Sequence, residues 1–206
     1  MPTVLRNPKV WIFAVCLLPL VRLVALGFSG GLGANPIEFI TRSTGTWTLV
    51  GLMLTLSVTP LRRLSGRADL VRYRRMLGLF TFFYVCLHFM TYVWLDQFFD
   101  PASIAKDIVK RPFITVGFTA FVLLIPLAVT STHAMMRRLG RHWKQLHRLV
   151  YLIALLGVIH YLWLVKKDLT EPLIYGGVLA LLLIMRLPLG VTLLQGVRSR
   201  FVPARS

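Results

Sequence analysis

The stretch LHRLVYLIALLGVIHYLWLV at positions 146–165 decides the fold, because it is long and apolar enough to cross a lipid bilayer. A transmembrane helix needs about 20 mostly apolar residues. The same stretch holds two histidines, His147 at its start and His160 near its end. An imidazole in hydrocarbon costs free energy unless another group engages its nitrogens, so an intramembrane histidine needs a partner.

Similar apolar runs recur along the whole chain of 206 residues. They lie at 10–28, 46–61, 76–95, 113–129 and 173–194, and the run at 46–61 is the shortest. Hydrophobic residues make up 56% of the chain, against about 45–50% in soluble domains. We therefore predict an all-α membrane protein, a six-transmembrane-helix bundle that forms a single domain over residues 1–206. The first run is expected to be a retained helix and not a cleaved signal peptide.

Most of the positive charge lies on one side of this predicted bundle. The formal net charge is +17, and basic clusters lie at 6–9, 62–75, 137–148 and 198–205. By the positive-inside rule this side is cytoplasmic, as are both termini. Six of the seven acidic residues fall on the other side. Basic clusters between apolar runs indicate membrane topology and lipid contact, and they argue against nucleic-acid binding.

Two histidines are predicted to lie at the same depth in the membrane. His88 follows Arg75 by thirteen residues, and His160 follows His147 by thirteen. At 1.5 Å per residue, each histidine lies about 20 Å from the cytoplasmic end of its helix. Both helices run in the same direction, so His88 and His160 match in depth in the outer half. Two histidines on two helices can bind a haem iron from both faces.

Other roles for these histidines were weighed against haem binding. A single histidine can bond to the next helix or join a proton relay, but no acid lies inside a run, and only Asp96 adjoins one, at its outer end. Structural zinc needs four ligands, and two histidines are too few. Blue copper would need a cysteine at the same level, and Cys86 is two residues from His88 and therefore on another helix face. For His147 the alternatives stay open, because an interfacial histidine can reach water. An ideal helix also puts His147 and His160 roughly 140° apart, so we expect an irregularity, with Gly157 as the candidate.

Several short motifs together resemble the ferric-reductase-like transmembrane domain family. The main ones are TST at 130–132, RLG at 138–140 with Trp143, LHRLVY at 146–151, and His160 followed by Tyr161. Supporting motifs are GGLGANP at 30–36, RRMLGL at 74–79 with His88 following, and PLIY at 172–175. The resemblance covers most of the chain.

The resemblance implies a b-type cytochrome in the bacterial inner membrane, with one or two b haems bound by His88, His147 and His160. It implies electron transfer to a periplasmic molybdopterin-containing methionine sulfoxide reductase subunit that repairs oxidised methionines. The implied electron donor is a cytoplasmic flavin reductase, and FMN is an implied further cofactor. In this role the chain is an electron-transfer subunit without substrate chemistry of its own.

The chain also departs from the two-haem members of that family. Such members carry paired histidines on both helices, whereas Arg75 stands thirteen residues before His88. They also carry a fused nucleotide-binding domain, and this sequence has no Rossmann-type glycine fingerprint, so a separate donor is expected. Two alternatives stay open: a cytochrome b that takes electrons from the quinone pool for another periplasmic oxidoreductase, and a haem-free transporter or assembly factor.

Overall fold

The computed structural model describes residues 7–165, 167–188 and 190–192, and all regular structure within these ranges is helical. The first helices are α1 (Pro8–Phe28), α2 (Pro36–Ser65), α3 (Val71–Thr91), α4 (Pro101–Lys110) and α5 (Pro112–Val129). They are followed by α6 (His133–Leu139), α7 (Arg141–Leu146), α8 (Leu149–Leu164) and α9 (Thr170–Ile184). A 3₁₀ turn, Ala68–Leu70, precedes α3, and a π-helical turn, Tyr92–Asp96, extends it. The predicted all-α class is confirmed.

Five helices are long and apolar enough to cross a membrane. They are Pro8–Phe28, Pro36–Ser65, Ala68–Asp96, Pro112–Val129 and Arg141–Leu164. The predicted sixth span at 173–194 is not confirmed, because α9 has 15 residues and ends at Ile184. Positions 189, 193 and 194 of that prediction lie outside the described residues. The placement of both termini in the cytoplasm stays a prediction.

The helix starts follow a simple local rule, in which a polar cap is followed by proline. Asn35 accepts a bond from the Glu38 backbone N–H, and Pro36 opens α2. Asp100 and Pro101 do the same for α4, as do Asn7 and Pro8 for α1. Proline suits the first helical position because its missing N–H would have no partner there.

The second span is much longer than the predicted 46–61, because α2 begins at Pro36 and has 30 residues. Its early part is polar, which hid it from a search for apolar runs. The hydroxyl of Thr44 donates to the Ile40 carbonyl at 2.9 Å, and that of Thr48 donates to the Thr44 carbonyl at 2.9 Å. Hydroxyls bonded to their own helix can be buried, and Thr44 is only 2% exposed.

The core lies between α2, α5, α8 and α9, around Leu56, Leu124, Ile153 and Leu179. The first helix is peripheral, since its only buried residue is Pro19. Gly157 is not the expected irregularity, because it lies within the continuous helix α8. A Cβ there would stand 3.2 Å from Leu49 Cδ2, so this glycine lets α2 and α8 approach closely. The irregularity is instead the break between α7 and α8 at His147 and Arg148.

Candidate functional site

The structure brings His88 of α3 and His160 of α8 together inside the bundle. Their ring centroids lie 6.2 Å apart, with an angle of 75° between the ring planes. Two imidazoles that bind one metal from opposite faces, each through a bond of about 2 Å, hold their centroids roughly 6 Å apart. The spacing of this pair, which we call the outer pair, would therefore suit two imidazoles that hold one metal between them.

Both rings of the outer pair are held through the same nitrogen. His88 Nδ1 lies 3.0 Å from the Thr41 carbonyl oxygen, and His160 Nδ1 lies 2.7 Å from the Phe113 carbonyl oxygen. A carbonyl oxygen only accepts hydrogen bonds, so both Nδ1 atoms must carry the hydrogen and donate it. Each Nε2 then keeps a free lone pair. Histidines that bind metals usually have this arrangement, with the second nitrogen bonded to a carbonyl or carboxylate.

A glycine lies beside each ring, one helical turn after the carbonyl that holds it. Gly45 follows Thr41 by four residues, and Gly117 follows Phe113 by four. A Cβ at Gly45 would lie 3.0 Å from His88 Cε1, and a Cβ at Gly117 would lie 2.7 Å from His160 Nδ1. Any larger side chain at either position would push the imidazole away from its carbonyl. The helix pairs α2–α3 and α5–α8 thus hold their histidines in the same way.

The two glycines were missed by the sequence analysis, although a weak signal for them exists. A glycine in a helix interior costs about 1 kcal/mol relative to alanine, so each one calls for a packing reason. The helices α2 and α5 do contain Gly45 and Gly117, at the level of the outer pair. Which side chain approaches such a glycine is decided only by the packing of the helices.

In the part of the chain that the structure describes, no protein-only metal site competes with the outer pair. Within the described ranges, no three side chains of His, Cys, Asp or Glu come together to hold an ion. Two histidines alone are a poor site for a bare ion, whereas a macrocycle supplies four further ligands in its plane. The donor set therefore fits a haem, with His88 Nε2 and His160 Nε2 as the residues to hold it.

Phe89, which follows His88 on α3, packs on aromatic residues of α5. Phe89 stacks on Phe121 with ring centroids 4.6 Å apart and lies 5.9 Å from Phe118. Tyr84, one turn before His88 on α3, turns to α1 and donates its hydroxyl to the Cys16 carbonyl at 2.7 Å. Tyr161, beside His160, donates to the Glu171 carboxylate. The phenylalanine ring in contact with the outer pair is that of Phe113, whose centroid lies 6.3 Å from that of His160.

His147 does not join the outer pair. It ends α7, and its ring stacks on Trp143 with centroids 4.0 Å apart. Its Nε2 lies 3.1 Å from Thr130 Oγ1, which donates its own hydrogen to the Pro126 carbonyl. A hydroxyl has one hydrogen, so while Thr130 donates to Pro126 it accepts from His147 Nε2, and His147 Nδ1 is left with the lone pair. Trp143 Nε1 donates to the Thr130 carbonyl at 2.9 Å.

The remaining histidines, and the two arginines that fall within predicted spans, have separate surroundings. His133 and His142 are exposed, and His142 Nδ1 lies 3.2 Å from Gln145 Oε1. Arg22 is exposed on α1, as expected for a residue that reaches the interface. Arg186 is half-buried and donates to the Tyr151 hydroxyl at 3.0 Å and to the Leu56 carbonyl. Its charge is therefore met by oxygen atoms of α2 and α8.

Comparison with known proteins shows the family to which this chain belongs. Residues 39–158 match the family model for ferric reductase like transmembrane components. The matched residues include most of α2 and extend into α8. The chain is 57% identical over 188 residues to the methionine-sulfoxide reductase heme-binding subunit MsrQ of Herminiimonas arsenicoxydans. The chain belongs to the MsrQ group of this ferric-reductase-like transmembrane family.

Other MsrQ proteins match over nearly their whole length. The alignment with the Herminiimonas protein covers 90% of this chain and 86% of that relative. The MsrQ proteins of Ralstonia nicotianae and Rhodospirillum rubrum are 58% and 57% identical, and the alignments cover 90% and 88% of this chain and 87% and 88% of those proteins. No solved structure matches the chain.

Proposed function

We propose that this chain is a membrane b-type cytochrome, in which His88 and His160 bind a haem iron through their Nε2 atoms. The observation that carries the proposal is the geometry of the outer pair. Its rings lie 6.2 Å apart, and both Nδ1 atoms are bonded to backbone carbonyls. The names of the relatives, which call them heme-binding subunits, support the choice of cofactor.

The residues of the chain hold both imidazoles in one tautomer and one orientation. The carbonyls of Thr41 and Phe113 hold the hydrogen on Nδ1, so that Nε2 faces the ligand with its lone pair. Gly45 and Gly117 allow the rings to reach these carbonyls without steric conflict. A haem bound there would supply one-electron transfer without bond chemistry on a substrate. The chain then acts as an electron-transfer subunit.

We further propose that electrons cross the bacterial inner membrane from the cytoplasm to the periplasm. The acceptor would be a periplasmic molybdopterin-containing methionine sulfoxide reductase, and the donor a cytoplasmic flavin reductase, with FMN as the carrier. The relatives' names, which call them subunits of protein-methionine-sulfoxide reductase, support the acceptor. The basic residues of α6 and α7, which include Arg141 and Lys144, would attract an acidic donor.

The ligand assignment is tested by replacing each histidine of the outer pair. The variants His88→Ala and His160→Ala are expected to lose the low-spin b-type spectrum of the outer haem, because each removes one axial ligand. The exposed His133→Ala and His142→Ala are the matched controls and should keep that spectrum. Haem per chain is measured as the pyridine haemochrome, with circular dichroism to verify the fold. Full haem retention in both ligand variants would refute the assignment.

His147 is proposed as the third haem histidine, on the cytoplasmic side, with Nδ1 as the nitrogen that Thr130 leaves free. If so, the wild-type protein binds two haems and His147→Ala binds one, with the outer haem spectrum unchanged. A wild-type protein with one haem, retained in His147→Ala, would make His147 a structural residue of the junction between α7 and α8.

The donor is tested by reducing the purified protein in two ways. NADH with a flavin reductase and FMN should reduce the haem, whereas a short-chain quinol should not. Reduction by the quinol alone would favour the alternative, a cytochrome b anchor that is supplied by the quinone pool. Gentle purification without any haem would favour a transporter or assembly factor.

A further inference from the structure

A cavity of about 530 Å³ opens between α1 and α3, away from the outer pair. Its lining combines three basic residues, Lys9, Arg72 and Arg75, with apolar residues that include Phe13 and Phe80. The haem proposal uses none of these residues. The lining of the cavity is therefore basic at one end and apolar along its length.

The basic end carries more positive charge than its neighbours compensate. The nearby acid Asp69 accepts two bonds from Arg67, the shorter at 3.0 Å, and lies 3.8 Å from Arg72. Within the described residues, no ion pair joins Lys9 or Arg75 to an acid. Three cations around one opening, with a single shared carboxylate close by, favour an anionic ligand.

The apolar part of the cavity runs along the two helices. Leu17 lies eight residues after Lys9 on α1, and Phe83 lies eleven residues after Arg72 on α3, and all four line the cavity. At 1.5 Å per residue these intervals are about 12 and about 16 Å. The hydrocarbon core is about 30 Å thick, so the cavity extends over roughly the depth of one leaflet.

The walls of the cavity also open sideways to the surroundings. Phe13 is 50% exposed, Leu79 is 38% exposed and Phe83 is 36% exposed. A ligand there would contact the protein on one side and the bilayer on the other. A flat polar cofactor would leave its polar ring edge in hydrocarbon at such a site, whereas an acyl chain meets the same apolar surroundings on both sides.

We propose that this cavity binds one anionic phospholipid, with its phosphate at Lys9, Arg72 and Arg75 and an acyl chain along Phe13 and Phe80. The lipid would join α1 to the rest of the bundle. That helix buries only Pro19 among its own residues, so an acyl chain would supply packing that the protein lacks here. The proposal does not depend on haem binding.

Native mass spectrometry of the detergent-purified full chain tests the proposal. After incubation with an equimolar mixture of phosphatidylglycerol and phosphatidylcholine, the wild type should retain the anionic lipid. Each basic residue near an anionic surface contributes a factor of about 5 in binding, so Arg72→Gln with Arg75→Gln should weaken retention about 25-fold. The matched control replaces two exposed arginines outside the cavity, Arg62→Gln with Arg137→Gln, and should retain the lipid. Equal loss in both double variants would overturn the site.

A second variant separates the acyl chain from the headgroup. Leu79→Trp narrows the groove but keeps all three cations, so it should also lose the lipid. Charge alone would bind the lipid if Leu79→Trp retained it unchanged, or if millimolar inorganic phosphate displaced it. Either result would overturn the assignment of the acyl chain to this cavity. Tight binding of FMN that disappears in the arginine variant would also overturn the proposal, because the cavity would then be a flavin site. Circular dichroism and size-exclusion profiles show whether each variant is folded.

Discussion

The outer pair and His147 are held by two different kinds of contact. His88 and His160 donate from Nδ1 to backbone carbonyls of neighbouring helices, and a glycine lies beside each ring. His147 donates from Nε2 to the side chain of Thr130 and stacks on Trp143 at a break between helices. A carbonyl can only accept, so it fixes which nitrogen carries the hydrogen. A hydroxyl can rotate and either donate or accept, so it fixes this less firmly.

The difference bears on what each site can do. In the outer pair the free nitrogen is Nε2, at the far end of the ring from the helix backbone, and two such nitrogens belong to rings 6.2 Å apart. At His147 the Nε2 is occupied, and the ring is already packed against an indole. The outer pair is therefore prepared for a shared ligand by its own surroundings. His147 is tied into the local structure of the α7–α8 junction.

The largest effect is expected when the space beside His160 is filled. In Gly117→Ala the new Cβ would lie 2.7 Å from His160 Nδ1, closer than real contacts allow, so the ring must leave the Phe113 carbonyl. Losing such a contact behind a metal ligand typically costs 10- to 100-fold in affinity, so we expect haem retention to fall about that much. The measurement is haem per chain during dilution or competition with a haem scavenger. Gly177→Ala is the control, because nothing lies within 4 Å of its Cβ. A normal haem spectrum in Gly117→Ala would contradict the proposed difference between the outer pair and His147.

A smaller effect of the same kind is expected at His88. The Cβ in Gly45→Ala would lie 3.0 Å from His88 Cε1 and 3.2 Å from its Nδ1, which a displacement of a few tenths of an ångström relieves. We expect this variant to keep its haem with a shifted low-spin electron paramagnetic resonance signal and a several-fold weaker affinity. Complete haem loss in Gly45→Ala, together with retention in Gly117→Ala, would reverse the order that these distances predict.

The smallest effect is expected at the His147 site. Thr130→Val keeps the shape of the side chain but removes the oxygen that accepts from His147 Nε2, at a cost of about 1–3 kcal/mol for the unpaired donor. Thermal unfolding should shift to lower temperature, while the spectrum of the outer haem stays unchanged. Loss of the outer haem in Thr130→Val would mean that the two sites are coupled, and the contrast between them would fail.

The sequence predicted correctly the features that depend on hydropathy and on depth along a helix. Counting residues from Arg75 and His147 put His88 and His160 at one level, and their rings are indeed neighbours. It was wrong where polar residues lie inside a helix or where a helix breaks. The threonines of α2 bond to their own backbone, so the helix starts ten residues before the predicted run. Gly157 was taken for the irregularity of the fifth span, but that irregularity is the break at His147 and Arg148.

The sequence by itself determined five candidate membrane-crossing helices and the common depth of the two histidines, because hydropathy and helical rise are local properties of the chain. Only the tertiary structure decided which nitrogen of each histidine is free, because that depends on carbonyls supplied by α2 and α5. It also showed why Gly45 and Gly117 are glycines, because the lack of a side chain matters only where a neighbouring group occupies the place of the Cβ. The tie between His147 and Thr130 likewise depends on the packing of α5 against the α7–α8 junction.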